Sequence, residues 1–302
     1  MNLASLPLSE LGDAIAASLK ILQNTMADSE HAWDGTRLQD RSPETIQDLL
    51  PLWGWFYQNY FPVTIDGLEN IPEEQILMVG SHNGGLAAPD MFMLMWAWFQ
   101  QFGTERPAYG LMNAKMWTGY PAIARVAAQT GAVRANPKMA IAALQSGASV
   151  LVYPGGARDV FRPHTLKHRI FLNGNLAFIK LALREQVPIV PVVSLGAHET
   201  LKVVGDLYPW MQKLNQLGVP WLLNVDPEVW PVFLGLPWGI GVGPLLNIPL
   251  ARPIHLRIGP AITLPGDPKS AKDPDHVIAC YDRVYRQMQS QLDELVAQET
   301  GG

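Results

Sequence analysis

Residues 75–90 read QILMVGSHNGGLAAPD. The first six, Gln75–Gly80, are a short apolar run that ends on glycine, which suits a strand buried on both faces. A glycine-bearing loop with a single histidine follows. Pro89-Asp90 then opens an apolar stretch with the proline-then-acid signature of a helix start, predicting a helix over Asp90–Phe102. Strand, polar loop and helix in 28 residues is the unit from which layered α/β domains are built.

The same unit recurs downstream. Ala148–Tyr153 (ASVLVY), Val187–Val193 (VPIVPVV) and Ile254–Ile258 (IHLRI) are further short apolar runs bounded by glycine or proline. Helices are predicted over Pro137–Gln145, opened by Asn136-Pro137, and over Leu176–Glu185. Asp273-Pro274 starts a last helix with Val277, Tyr281, Val284, Met288, Leu292 and Leu295 on one face, a core-packing stripe. This alternation predicts an α/β fold with a mostly parallel central sheet flanked by helices. The prolines of Val187–Val193 predict an edge strand or strand ends there. Residues 205–250, rich in Pro, Gly and Trp, read as an irregular insert.

Upstream the pattern is helical, which sets a boundary between an N-terminal helical segment, 1–66, possibly facing a membrane, and the α/β domain, 67–302. Leu11, Ile15, Leu19 and Leu22 recur at helix spacing. Ser42-Pro43-Glu44 supplies a capping serine, a first-turn proline and an acid at the positive helix end. That second helix carries Leu49, Leu50, Leu52, Trp53, Trp55, Phe56, Tyr57 and Tyr60, with a kink or new start expected at Pro51. Its aromatic stretch is either core packing or an anchor in a lipid interface.

Composition narrows the function classes. Of the 302 residues 16% are charged and 48% hydrophobic, against about 25% charged in ordinary soluble domains. That shortfall implies apolar surface meeting lipid. A net charge of −5 argues against a nucleic-acid partner, which calls for a basic face. One cysteine, Cys280, excludes an internal disulfide and a multi-cysteine metal site. No basic leader with an apolar run starts the chain, and no run reaches the roughly 18–20 apolar residues of a spanning helix. Peripheral or monotopic attachment on the cytosolic face of a membrane is the expectation, and the ten tryptophans favour an interface.

Two loops carry chemistry. Ligand sites of α/β sheets lie beyond the carboxyl ends of the strands, where Gly80-Ser81-His82-Asn83-Gly84-Gly85 falls. A neutral imidazole there takes a proton from a hydroxyl, and a carboxylate on its other nitrogen fixes the tautomer. Asp90 is the candidate, its alternative role being a plain first-turn acid. In the second loop, Tyr153-Pro154-Gly155-Gly156-Ala157-Arg158-Asp159, paired glycines let backbone N–H groups line a cavity, and Arg158 adds a fixed positive charge. A Pro-Gly turn with a surface arginine is the plainer alternative.

The order of these pieces is distinctive. A His…Asp loop, then Thr130-Gly131-Ala132-Val133-Arg134, then YPGGARDVF at 153–161, then VPIVPVV at 187–193 resembles the glycerolipid acyltransferase superfamily. It is closer to the monoacylglycerol/diacylglycerol-acyltransferase-like branch, over roughly residues 67–265. The resemblance implies His82 as catalytic base, Asp90 as its partner, and substrate contacts from Asn83, Gly84, Gly85, Arg134, Gly155, Gly156 and Arg158. Seven residues separate His82 from Asp90 where the family usually has four, so either the loop bulges through Gly84-Gly85 to let the carboxylate reach or another acid serves. Gly155 stands where phosphate-acceptor members carry glutamate, which implies a neutral acceptor: diacylglycerol, a long-chain or prenyl alcohol, or a quinol. The expected partners are a membrane lipid surface, a lipid alcohol, and acyl-CoA or acyl-carrier protein as donor, with no cofactor or metal. A lysophosphatidate-type acyltransferase and a non-catalytic lipid-binding protein are the alternatives.

Three remaining features complete the reading. Arg158, Arg162, Lys167, His168 and Arg169 form a basic stretch, either solvated or touching phosphates; His164 and His168 lack a third metal ligand nearby. Gly239-Ile240-Gly241-Val242-Gly243 lacks the strand–turn–helix setting of a dinucleotide site. Leu234–Leu250 reads as an acyl tunnel or membrane-facing lid. No Gly-x-Ser-x-Gly elbow is present.

Overall fold

The structure, a computed structural model, describes residues 31–119, 121–221 and 226–301. The helix expected around Leu11–Leu22 lies outside the described residues. In chain order the elements are α1 (Pro43–Trp55), β1 (Val63–Asp66), β2 (Leu77–Gly80), α2 (Pro89–Phe102), β3 (Ala108–Met112), α3 (Ala114–Gly119), α4 (Pro121–Gln129), β4 (Ala132–Arg134), α5 (Pro137–Gln145), β5 (Ser149–Val152), α6 (Gly156–Val160), α7 (Ala177–Glu185), β6 (Ile189–Leu195), β7 (Lys202–Asp206), α8 (Tyr208–Gln216), β8 (Pro231–Gly235), β9 (Gly239–Val242), β10 (Ile254–Ile258) and α9 (Pro274–Thr300).

Seven strands make the central sheet, in the order β1-β10-β6-β2-β5-β3-β4. β6, β2, β5, β3 and β4 run parallel, while β10 joins β6 antiparallel and carries β1 parallel to itself. The mostly parallel sheet expected from the sequence is therefore present. Period-two alternation sends Leu77, Val79, Ile189 and Val193 to one face, where they pack with α5, α7 and α9. Ile76, Met78, Val190 and Val192 go to the other face, under α1 and α2. Burial on both faces explains why these strands read as unbroken apolar runs. In α9, Val277, Cys280, Val284, Met288, Leu292 and Leu295 are buried along one stripe, and Cys280 is a free thiol.

Several expectations are corrected. β6 lies between β10 and β2 and is no edge strand. Pro191 fits because its missing N–H faces the segment where the chain leaves β10: its carbonyl accepts from Gly259 N at 2.8 Å, while Ile189 pairs with Ile262 on the same side. α1 continues through Pro51 without a break and ends in a π-helical turn, Phe56–Tyr60. Its aromatic residues pack: Trp53 stacks on Phe99, and Tyr57 lies 4.2 Å from Trp96. β1 pairs with β10, so residues 43–66 belong to the same core as the sheet. The insert is not irregular: β7, β8 and β9 form a second, antiparallel sheet, with α8 between β7 and β8. Its strands escaped the sequence reading because they are only four or five residues long and each contains glycine.

Candidate active site

β2 ends on Gly80 at the centre of the sheet, and Ser81-His82-Asn83 leave its carboxyl end. Gly84 and Gly85 have φ of 82° and 70°, a left-handed conformation that costs a residue with a Cβ about 1–2 kcal/mol. A Cβ on Gly84 would also lie 2.6 Å from Pro89 Cδ and 2.7 Å from Thr200 Oγ1. After a 3₁₀ turn at Gly85–Ala87 the chain enters α2 at Pro89. This bulge turns Asp90 back under the imidazole, with His82 Nδ1 3.3 Å from Asp90 Oδ1. The contact is long and poorly aligned for a hydrogen bond, as catalytic hydrogen bonds often are before substrate arrives. The Asp90 side chain is 3% exposed and that of His82 18%, so the carboxylate is sealed while one edge of the ring stays open. With Nδ1 turned to the carboxylate, a neutral ring holds its proton there and leaves Nε2 as the base.

The ring is also held from the side. Tyr153, just past β5, stacks on it with centroids 4.3 Å apart and planes 22° apart. Burial, then the charges of Asp90 and Asp159, push the Tyr153 hydroxyl well above its usual range, so it stays protonated.

Beneath the loop lies a frame that sequence reasoning missed. Asp159 is fully buried and Arg162 is 4% exposed. Asp159 accepts from Ser81 Oγ at 3.0 Å and from the His82 backbone N–H. Arg162 Nη1 donates to Asp159 Oδ1 at 2.8 Å and to the His82 carbonyl at 2.8 Å, and its Nη2 donates to Asn83 Oδ1. Burial pushes the Asp159 carboxyl up to about 6, against the pull of Arg162 and the His82 N–H. Both backbone polar groups of His82 are thereby fixed by one buried ion pair. Arg162 had been read as one member of a basic stretch. The available signal was Asp159-Val160-Phe161-Arg162, opposite charges at i,i+3 around two apolar residues, which puts both on one side of a short helix.

The other sequence-predicted residues divide. Asn83 is 2% exposed. Its amide donates to Ser81 O (2.9 Å), Ser194 Oγ (2.8 Å) and Asp90 Oδ2 (3.2 Å). Its polar side-chain atoms are thus spent inward, where they brace Asp90. Gly85 lies against Asn247, whose amide donates to Gly84 O at 3.1 Å and accepts from Ala87 N at 3.3 Å. Gly155 is buried; a Cβ there would meet Phe171 O at 2.1 Å and Asp159 Cβ at 2.4 Å. Its glycine lets α6 bring Asp159 under the loop. Gly156 is exposed at the start of α6. Two arginines are not brought to the imidazole. Arg158 is exposed, its guanidinium 5.9 Å from the centre of the Tyr208 ring. Arg134 ends β4, three strands from β2, about 14 Å at ordinary strand spacing, and donates to Asp34 O at 3.0 Å.

Behind Arg162 sits His198, 3% exposed, stacked on His164 with centroids 5.9 Å apart. Burial, then the charges of Arg162 and His164, pull its pKa from 6.5 down to about 3. The unfolded chain therefore binds a proton between pH 6.5 and 3 that the folded chain does not. This contribution to stability is complete above pH 6.5 and is lost as pH falls toward 3, by a few kcal/mol at most. Asp159, raised from 3.8 to about 6, tilts stability the other way between those values, so the His198 part is read by difference. His198→Phe is expected to flatten the fall in Tm between pH 6.5 and 4 relative to wild type, measured by thermal unfolding across that range. An unchanged slope would remove His198 from the acid response.

Comparison with known proteins identifies the family. An uncharacterized protein of Mycobacterium tuberculosis is 27% identical over 248 residues, covering 82% of this chain and 65% of its own length. Mouse 2-acylglycerol O-acyltransferase 1 is 22% identical over 52% of this chain and 48% of its own. Human diacylglycerol O-acyltransferase 2 is 28% identical over 40% and 30%. The chain thus spans less than two thirds of the length of these relatives. The crystal structure of a 1-acyl-sn-glycerophosphate acyltransferase from Thermotoga maritima superposes with a TM-score of 0.48 at 14% identity, covering 95% of this chain and 97% of that one. The family profile for diacylglycerol acyltransferase matches residues 28–298, which takes in every strand of both sheets and the whole His82–Asp90 loop, and the chain belongs to that family.

Proposed function

We propose that the protein is an O-acyltransferase that moves a fatty-acyl group from acyl-CoA or acyl-carrier protein to the hydroxyl of a neutral lipid. The observation that carries this reading is the half-open imidazole of His82, backed at 3.3 Å by the sealed Asp90, at the carboxyl end of a central parallel strand in a chain of this family.

The chemistry follows from that arrangement. His82 Nε2 takes the proton of the acceptor hydroxyl as its oxygen attacks the thioester carbonyl. The tetrahedral intermediate collapses, the C–S bond breaks, and the imidazolium returns its proton to the leaving thiolate. Asp90 stabilises the imidazolium between these steps. The donor is already activated, so no cofactor or metal is called for.

A neutral acceptor is favoured by where the cations lie. Arg162, the cation at the loop, is spent on Asp159, His82 and Asn83, while Arg158 and Arg134 are turned to other partners. Diacylglycerol, a long-chain or prenyl alcohol and a quinol all fit such a site. The low charge content favours peripheral or monotopic attachment to a membrane.

The test is turnover of palmitoyl-CoA, and of a palmitoyl carrier protein, against diacylglycerol, a fatty alcohol, phytol, a quinol and lysophosphatidate, with products read by lipid mass spectrometry. A neutral ester is expected. Phosphatidate as the main product would overturn the acceptor assignment, and no ester from either donor would overturn the enzyme reading in favour of a lipid-binding protein.

A further inference from the structure

Among the described residues sixteen large hydrophobic side chains stand exposed, and thirteen of them lie between Val204 and Ile248. The second sheet shows why. Its inner face, Val203 and Phe233, packs on Val160, Phe161 and Leu201, and so against α6 and the frame of the site. The outer face of an antiparallel sheet is normally polar. Here Leu234 and Ile240 are direct cross-strand partners at 41% and 70% exposure. Val204, Leu236, Trp238, Val242 and Ile248 are exposed as well, and Trp210, Leu214 and Leu217 of the α8 region continue the apolar surface. Residues 229–251 contain no charged side chain. An apolar surface on this scale marks a binding face.

We infer that the outer face of the β7-β8-β9 sheet, with α8 beside it, is the surface by which the protein lies on a phospholipid bilayer. The inference rests on the acyltransferase reading only for its purpose, delivering lipid to His82. Charge complementarity selects the occupant. The whole chain carries −5, yet Lys202, Lys213, Arg158 and Arg252 are exposed near this unit, and none makes an ion pair among the described residues. Lys202 lies directly opposite Leu234. Lys213 lies 5.1 Å from the Trp210 ring centre. The acids of the same unit are engaged elsewhere: Asp206 accepts from the N–H of Tyr208 and Trp230, and Glu228 pairs with Lys115 at 2.7 Å. An uncharged hairpin beside cations that no acid neutralises matches hydrocarbon bordered by phosphates, and Trp210 and Trp238 suit the boundary between them. The segment that follows the sheet is also fastened to the loop of His82, through Asn247 to Gly84 and Ala87. A bilayer held on this face is therefore held beside the imidazole.

The experiment is flotation of the full chain with phosphatidylcholine vesicles containing a minority of phosphatidylglycerol, comparing wild type, Trp238→Ser/Ile240→Asp, Val242→Lys, and the exposed Ile278→Asp on α9 as control. Turnover of an acyl-CoA with a water-soluble short-chain alcohol is followed alongside. Expected is a fall in vesicle partitioning of at least about tenfold for Trp238→Ser/Ile240→Asp, from the loss of buried apolar area. A smaller fall is expected for Val242→Lys, with no change for Ile278→Asp and soluble turnover kept in all. Equal flotation of wild type and both hairpin variants would overturn the surface and leave the enzyme reading standing. So would loss of flotation only on deleting residues 1–30. A wild-type dimer that the hairpin variants split, with no flotation, would assign the face to a second copy and overturn the bilayer. Absence of turnover in wild type would strike the enzyme reading alone, since flotation still decides the surface.

Discussion

Replacing His82 by alanine is expected to lower acyl transfer by about 10²–10⁴-fold, the usual worth of a general base, while Tm stays close to that of wild type. The two effects separate because of how the ring is held. Its loop is fixed through the His82 backbone, by Asp159 and Arg162, and through Asn83; the imidazole itself contributes a stacking contact with Tyr153 and a long contact to Asp90. Removing the side chain leaves the frame intact. Asp90→Asn is expected to lose less, since it keeps the shape and removes only the charge that favours the imidazolium. The check is initial-rate turnover beside thermal unfolding of each variant. His82→Ala turning over at the wild-type rate would end the mechanism.

Arg162→Ala is expected to give the largest loss of stability, about 3–5 kcal/mol, because it strands a buried carboxylate. Asp159 is fully buried, and the same change leaves the His82 carbonyl and Asn83 Oδ1 without their donor. Removing both charges, as in Asp159→Leu/Arg162→Met, is expected to restore much of the stability, since apolar replacement of a buried pair is often neutral. Turnover should stay low, because the His82 N–H and carbonyl have lost both partners. Urea unfolding and turnover of the three proteins test this. A double variant that regained stability and turnover together would show that the pair only holds the fold.

The contrast between these two residues shows what was legible in the sequence. β2, β5 and β6 could be read because burial on both faces leaves unbroken apolar runs, β10 because Ile254, Leu256 and Ile258 alternate with polar residues, and α5 because Asn136-Pro137 marks its start. β3 and β4 could not. Ala108–Met112 contains Tyr and Gly and Ala132–Arg134 is three residues long, so neither offers a period to detect. His82 and Asp90 could be proposed as a pair because Gly84-Gly85 permits the bulge that joins them. Their support could not, because Asp159 and Arg162 lie 77 and 80 residues from His82, and charge in sequence carries no sign of burial. Asn83 shows the same limit: its place beside His82 gave no sign that topology turns its amide toward Ser194.

That long reach has a kinetic side. The loop of His82 is fastened by contacts that span 77 residues to Asp159, 111 from Asn83 to Ser194 and 163 from Gly84 to Asn247. Closing such loops costs entropy before any contact repays it, and chains rich in distant contacts fold slowly. The loop is made early in synthesis, yet its last fastener, Asn247, emerges only after four fifths of the chain. Helices and the parallel strands can collapse while the imidazole is still unplaced. In refolding, recovery of helical signal is therefore expected to run ahead of recovery of a competent site, which matures in the final docking of the second sheet.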